Sequence, residues 1–318
     1  MKILSIIVTY NGRALIKDCI ESISASQYPS DILVIDNNST DQTIEMIQSI
    51  SERVIIRKLS TNIGFGRANN IGLSYALAEG YDCVFLLNQD AWIRPDCLDL
   101  LVKCAEKNPE AGIISPLHLT PDAKSLDPNH GYHIFKLSGV DYTPELLMKM
   151  KEQTSFEIKF TNAAAWFIPR KFLTIVGGFD PLFFLYGEDD DLNNRRIFHG
   201  LKFLLMPAAK IYHIRATNPS NSNTQISPLS FANKTYSLNI AFLKNINSSF
   251  FILSFVLPLK VFKRILINLF SGNYNKIKTE INSYFRSLRM SKIIIDNRNI
   301  CKRDNSSFLN PTNESKYK

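Results

Sequence analysis

The sequence is poor in the features that define several common classes. It holds five cysteines, Cys19, Cys83, Cys97, Cys104 and Cys301, and no two of them form a CxxC pair. An odd, scattered set does not make the framework of a disulfide-stapled secreted fold, and it points to a reducing compartment. No run of about 18 uninterrupted apolar residues occurs, so no segment reads as a membrane-spanning helix. The apolar opening, residues 1–8, stops at Tyr10-Asn11-Gly12, too early for a secretory signal, and is expected to be a strand. Glycine is sparse, at 13 in 318 residues. Gly64-Phe65-Gly66 is followed by Asn69 where a GxGxxG turn needs its third glycine, which argues against a nicotinamide dehydrogenase.

What is present is ordinary globular composition, 45% hydrophobic and 21% charged, enough for a large core. The net charge of +8 is unevenly spread. Residues 226–318 hold 15 Lys and Arg against 4 Asp and Glu, a net +11, and the first 225 residues hold 22 against 25, a net −3. A basic C-terminal segment implies an anionic partner, a membrane surface or a nucleic acid. Its Phe, Ile and Leu content and the lack of a nucleic-acid-binding module favour lipid.

The first half alternates short apolar runs with helical spacing, the pattern of a parallel sheet with crossover helices. Strands are expected at 3–9, 31–36, 54–59, 83–87 and 112–115, and helices at 14–24, about 41–51, 66–79 and 95–107. Ser39, Thr40 and Asp41 offer N-cap chemistry to the second helix. A polar stretch at 120–133 reads as an insertion or acceptor-side element, and a helix follows at 145–152. An apolar segment at 163–168 and a helix from about Asp189 come next. The Asn/Ser/Pro-rich 217–227 reads as a mobile loop. From Ser230 onward the spacing is helical, and Pro258 is expected to interrupt any long helix there.

In open parallel sheets, ligands sit at the carboxyl ends of the strands. Those ends are polar here: Thr9-Tyr10-Asn11-Gly12, Asp36-Asn37-Asn38-Ser39-Thr40-Asp41, Asn62-Ile63-Gly64-Phe65-Gly66 and Asn88-Gln89-Asp90. Tyr10 can stack on a base, Asp36 or Asn37 can pair with a pyrimidine edge, and Asp90 can hold a divalent cation against a diphosphate. Each cluster alone is equally a helix cap or a turn. Glu188-Asp189-Asp190-Asp191 is read in the same two ways. It is a favourable helix start, and it is also a set of carboxylates whose mutual repulsion raises proton affinity, as suits a general base.

Taken in order with Gly177-Gly178-Phe179-Asp180 and Phe183-Phe184-Leu185-Tyr186-Gly187, these motifs resemble the family 2 inverting glycosyltransferases of GT-A fold, rhamnosyltransferase-like branch, over roughly residues 1–215. The resemblance implies an α/β GT-A nucleotide-diphospho-sugar transferase fold. It places a catalytic domain at 1–225, with a donor half at about 1–115 and an acceptor half at about 116–225, and a basic helical extension at 226–318. It implies a nucleotide-sugar donor, dTDP-rhamnose first and a UDP-hexose or UDP-galactofuranose as alternatives, held by Thr9, Tyr10, Asn11, Asp36, Asn37, Asn62, Gly66, Arg67, Asn70, Asn88 and Gln89. Asp90 matches the surviving carboxylate of a metal-binding DxD whose first Asp is replaced by Asn88, and His213 matches a further ligand of the divalent metal, Mg²⁺ or Mn²⁺. Asp189 matches the base and Glu188 its neighbour. Ala164 and Trp166 line the acceptor side, where Trp166 either stacks on a sugar or fills the core, and Lys171, Arg195 and Arg196 are candidates for the diphosphate. The acceptor would be a lipid-linked or growing surface polysaccharide, met at the cytoplasmic face of the membrane through the C-terminal segment. A nucleotidyltransferase and a silent glycan-binding module are the alternatives.

Overall fold

The computed structural model describes residues 1–214, 228–304 and 307–309. The loop expected at 217–227 lies outside the described residues. The chain opens with β1 (Ile3–Thr9), α1 (Ile16–Ser24), β2 (Asp31–Asp36), α2 (Thr43–Ile50), β3 (Ile55–Lys58), α3 (Phe65–Ala78) and β4 (Cys83–Leu87). β1 pairs in parallel with β2 and β4, and β2 with β3. The strands are nearly continuous apolar runs because both faces are covered. One face carries a core built on Ile7, Ile20, Val34 and Phe85, the other a core built on Leu4, Ile6, Leu33 and Leu86.

Next come β5 (Ala91–Ile93), α4 (Cys97–Lys107), β6 (Ala111–Leu119), the short α5 (Pro128–Gly131), a π-helical turn over Tyr132–Leu137, α6 (Pro144–Lys149), β7 (Phe156–Glu157), β8 (Ala165–Pro169), α7 (Arg170–Ile175), α8 (Glu188–Phe198) and β9 (Lys202–His213). The sheet order is β3-β2-β1-β4-β8-β6-β9-β5, with β7 on β9. It is mainly parallel, with β8, β5 and β7 antiparallel to their partners. β6 is longer than the expected 112–115 and runs through Pro116. That proline sits at a register shift opposite Met206, where its missing N–H interrupts the ladder at a bulge. β9, the longest strand, was not expected.

α9 (Pro228–Lys244), α10 (Phe250–Phe270), α11 (Tyr274–Arg289) and α12 (Ser291–Cys301) complete the chain. Pro258 does not interrupt α10, which continues on both sides of it. Only the hydrogen bond to the carbonyl of Ser254 is forgone, and the flanking turns hold the helix. No helix among the described residues is long and apolar enough to cross a membrane. α9, α10 and α12 form a third core around Phe183 from the loop before α8.

Beneath that core lies a buried ionic cluster. Lys244 of α9 binds Asp180 and lies 3.4 Å from Asp191, Arg195 binds Asp191 at 3.0 Å, and Asn297 of α12 donates to Asp180 at 2.8 Å. Two cations face two carboxylates with no net charge, the condition under which buried charge is tolerated. Residues 307–309 return to the same place. Gly178 donates to the Ser307 carbonyl, and Asn70 and Ser74 donate to Phe308 and Leu309. Gly177 has φ +84°, and a Cβ there would lie 2.2 Å from the Ser307 oxygen, so glycine is required on both counts. All five cysteines are free and buried.

Candidate active site

The loops at the carboxyl ends of the strands are tied to one another by their own polar side chains. Gln89 Oε1 accepts from Thr9 Oγ1 at 2.6 Å and from the Tyr10 amide at 3.0 Å. Asn11 Oδ1 accepts from the Thr40 amide, Ser39 Oγ from the Asn11 amide, and Asp41 from the Arg13 amide. The expected cap of α2 is therefore absent: Ser39 and Asp41 face the loop after β1, and Gln42, in the left-handed region, starts the helix without a side-chain cap. Asn37 reaches onward, accepting from the Ile63 amide at 2.8 Å. Asn62 closes its own turn on the Gly64 amide. Phe65 then donates to the Phe184 carbonyl, which joins the donor-side loops to the segment that precedes α8.

Tyr10 is left with an exposed ring, whereas Asp36 is wholly enclosed and accepts from the Ser39 amide at 3.1 Å. A base can pair with Asn37 or Asp36 only after this turn loosens. Arg67 and Asn70 do other work. Arg67 Nε donates to the Pro181 carbonyl, and Asn70 accepts from the Phe179 amide and donates to its carbonyl, so both brace the 177–181 turn. Gly66 admits Phe179, whose Cβ would lie 2.9 Å from a side chain at that position.

Asn88 donates its amide to the Ala164 carbonyl, which holds Asn88-Gln89-Asp90 against the segment entering β8. Asp90 Oδ1 lies 3.3 Å from His213 Nε2, and His213 Nδ1 lies 3.0 Å from Asp127 Oδ2. Burial works against the imidazolium, but the hydrogen bonds to Asp127 and Asp90 overcome it and raise His213 to about 9. Among the described residues no group of three or more His, Cys, Asp or Glu converges as a cation cage. Asp90 and His213 are a two-ligand set.

α8 begins after Tyr186 and Gly187, both with positive φ. A tyrosine in the left-handed region is strained, and it turns the chain so that four carboxylates occupy the first helical turn. Asp191 is neutralised by Arg195 and Lys244. Asp189 is partly exposed and faces the Ala163 amide. Burial raises its pKa, against the amides of Asp190 and Ala163, which lower it. Burial and the charge of Asp189 push Glu188 up to about 8, and Asp190 is pushed up to about 7. Glu188 Oε2 is buried with no hydrogen-bond partner among the described residues.

The Glu188 shift has a testable sign. Between its ordinary value and about 8 the folded chain retains a proton that the unfolded chain has lost. Its contribution to stability is thus full at low pH and disappears as pH rises through about 8. Glu188→Gln should raise the melting midpoint relative to the parent at pH 9 and give little or no gain at pH 5. An equal difference at both pH values would mean that Glu188 ionises in the fold as it does in water.

Three expectations are corrected. Trp166 is fully buried, stacks on Phe179 and donates Nε1 to the Thr161 carbonyl, so it fills the core and presents no face to a sugar. Arg195 and Arg196 are buried and bonded to Asp191, Asn193 and backbone carbonyls, and are closed to a diphosphate. Lys171 lies at the far end of β8, near the Pro109 carbonyl. Asp127, Asp180 and Lys244 were not anticipated. Asp127-Pro128 is a legible helix start, but nothing in the spacing pairs Asp127 with a histidine 86 positions later.

A mainly parallel sheet with antiparallel strands inserted, an acidic residue closing the loop after β4, and a helix that starts on four carboxylates are the features of a GT-A glycosyltransferase. The family described as glycosyl transferase family 2 matches residues 5–167, and the chain belongs to that family. It is 25% identical over 229 residues to the N-acetylglucosaminyl-diphospho-decaprenol L-rhamnosyltransferase of Mycobacterium tuberculosis, covering 66% of this chain and 75% of that one. It is 26% identical to the dTDP-rhamnosyl transferase RfbF of Shigella flexneri, covering 66% and 68%. In fold it is similar to the mannosyltransferase PcManGT of Pyrobaculum calidifontis, solved with GDP-Man and Mn²⁺, at a TM-score of 0.55 and 15% identity over 92% of this chain and 87% of that one.

Proposed function

We propose that this glycosyltransferase is an inverting, cation-dependent rhamnosyltransferase that moves rhamnose from dTDP-rhamnose to a hydroxyl of a lipid-linked glycan. One observation carries the reading. The partly exposed Asp189 faces the amide of Ala163, and the next residue, Ala164, holds the loop bearing Asp90. A base and a cation-binding carboxylate are thereby set on two sides of one small-residue bridge, as in-line displacement of a diphosphate requires.

Tyr10 stacks on the base, Asn37 and Asp36 read its edge once the turn that encloses them loosens, and Asn88 meets the sugar. Asp189 takes the proton of the acceptor hydroxyl, and Glu188, uncharged at neutral pH, orients the acceptor or the loop. Asp90 and His213 would hold a Mg²⁺ or Mn²⁺ ion. Neighbouring ligands of an octahedral ion are about 3 Å apart, which the 3.3 Å separation fits, and substrate phosphate oxygens ordinarily complete such a shell. The cation supplies neutralisation of the charge on the leaving diphosphate. The named rhamnosyl relatives support the donor and acceptor classes. Incubation with dTDP-rhamnose and with UDP-hexoses, with and without Mn²⁺, should release nucleoside diphosphate from dTDP-rhamnose alone and only with the ion. Asp90→Ala should lose both the release and the cation-dependent part of nucleotide binding measured by calorimetry. Release from a UDP-sugar instead would overturn the donor assignment.

We also propose that the protein works at a membrane surface, through α10. Phe251, Phe255, Leu259, Phe262 and Phe270 share one exposed face, directly opposite the buried Leu253, Leu257 and Val261. Arg264 is bonded to Glu280 and Asn239 and Lys260 lies over the Phe242 ring, so the apolar stripe, more than the basic residues, is the contact surface. Helices of this kind lie in the interface plane. Replacing Phe255, Leu259 and Phe262 by Ser should cut flotation with anionic vesicles at least tenfold, since each buried side chain of this size contributes about 1.5–3 kcal/mol. Unchanged flotation would exclude the stripe.

A further inference from the structure

We infer that Asp127 is a positioning residue for the cation site, acting through His213. The inference rests on reading Asp90 and His213 as the cation's protein ligands. Asp127 stands at the start of α5, and its two oxygens have separate tasks. Oδ1 accepts from the amides of Asn129 and His130, at 2.9 and 3.0 Å. Oδ2 meets His213 Nδ1 at 3.0 Å. The carboxyl is fully buried, and so is the ring it faces.

The geometry decides which nitrogen of His213 carries the proton. A carboxylate oxygen only accepts, so Nδ1 must donate to Asp127. An ion would take the place of the proton that Nε2 otherwise shares with Asp90, and the Nε2 lone pair would then be directed to the side where Asp90 lies, as ligation needs. Asp127 is not itself a third ligand, because the width of the imidazole ring separates it from the Nε2 edge. The ring is also held from the side. His118 meets it edge to face at 6.4 Å between centroids and stacks on His130 at 3.9 Å, while His130 Nδ1 bonds Thr161 Oγ1 at 2.8 Å. The polar insertion between β6 and β8 thus supports the cation ligand from behind, a task the sequence reading did not assign to it.

Asp127→Asn tests this with little change in shape. The two backbone amides require an oxygen at the Oδ1 position, so the new NH₂ is placed against His213 Nδ1. There it only donates. His213 must then accept at Nδ1 and carry its proton on Nε2, which removes the lone pair from the ion. Mn²⁺ affinity in the presence of dTDP, read by electron paramagnetic resonance, should fall about 10–100-fold. Nitrogen-15 spectra taken at a pH above about 9, where His213 is neutral, should show its Nε2–H tautomer in the variant and Nδ1–H in the parent. Asp90→Ala serves as the control. If it leaves Mn²⁺ affinity unchanged, the cation reading itself fails. If Asp90→Ala weakens Mn²⁺ binding but Asp127→Asn does not, or if His213 keeps the same tautomer in both proteins, the positioning role is overturned. If only the melting midpoint falls, Asp127 is a helix cap and nothing more.

Discussion

Asp189→Asn should lower transfer about 10²–10⁴-fold and leave nucleotide affinity within about twofold. The substitution changes one atom, and Asn Oδ1 still accepts from the Asp190 amide at the start of α8. It removes the ability to accept a proton from the incoming hydroxyl. The bonds traced among the donor-side loops run through Thr9, Gln89, Asn11 and Asn37, and none passes through Asp189. Calorimetry with dTDP should therefore match the parent. Because burial raises the Asp189 pKa, the acid limb of the parent's rate profile should lie above the ordinary carboxylate range. A variant that kept more than half the parent rate would remove Asp189 from the base position.

Lys244→Met should cost about 3–5 kcal/mol of stability, the usual penalty for leaving a buried charge unmatched. Lys244 is fully buried, and its loss leaves Asp180 and Asp191 facing Arg195 alone. At roughly 2–4 °C per kcal/mol for a chain of this size, the melting midpoint should fall by about 10 °C. Replacing Asp180 by Asn in the same protein should restore part of the loss, because it removes the excess negative charge. A midpoint within about 2 °C of the parent would mean that water or a rearranged Arg195 takes over from the lysine.

Much of the fold was legible because both faces of the parallel strands are covered. Residues 3–9, 31–36 and 83–87 read as nearly continuous apolar runs between polar loops, and those are β1, β2 and β4. β9 was missed because Pro207 and Lys210 interrupt its apolar pattern at the bulge that pairs it with β6. The positions of Asp90, His213 and Asp189 followed from motif order, and the structure brings Asp90 to His213. Trp166 is the instructive failure. A tryptophan between small residues fits a sugar platform and a core plug equally well, and only the closure of Phe179 and Phe203 over it decides between them. The supporting residues were illegible for a different reason. Asp127, Lys244 and Asn297 bind partners 86, 64 and 117 positions away, and local spacing holds no record of such pairings.

Those long separations also have a consequence in time. Translation adds about 5–20 residues each second, so Asp180 leaves the ribosome about 3–13 s before Lys244 and about 6–23 s before Asn297. Throughout that interval the turn beneath α8 has carboxylates and no cation from α9 to match them. The nascent sheet can form while the helix start that bears Asp189 stays unlatched, and the residues that cover Gly177 are made later still. Docking of α9 and α12 onto the turn beneath α8 is thus one of the last steps in the assembly of the chain, taken after every strand of the sheet has been made.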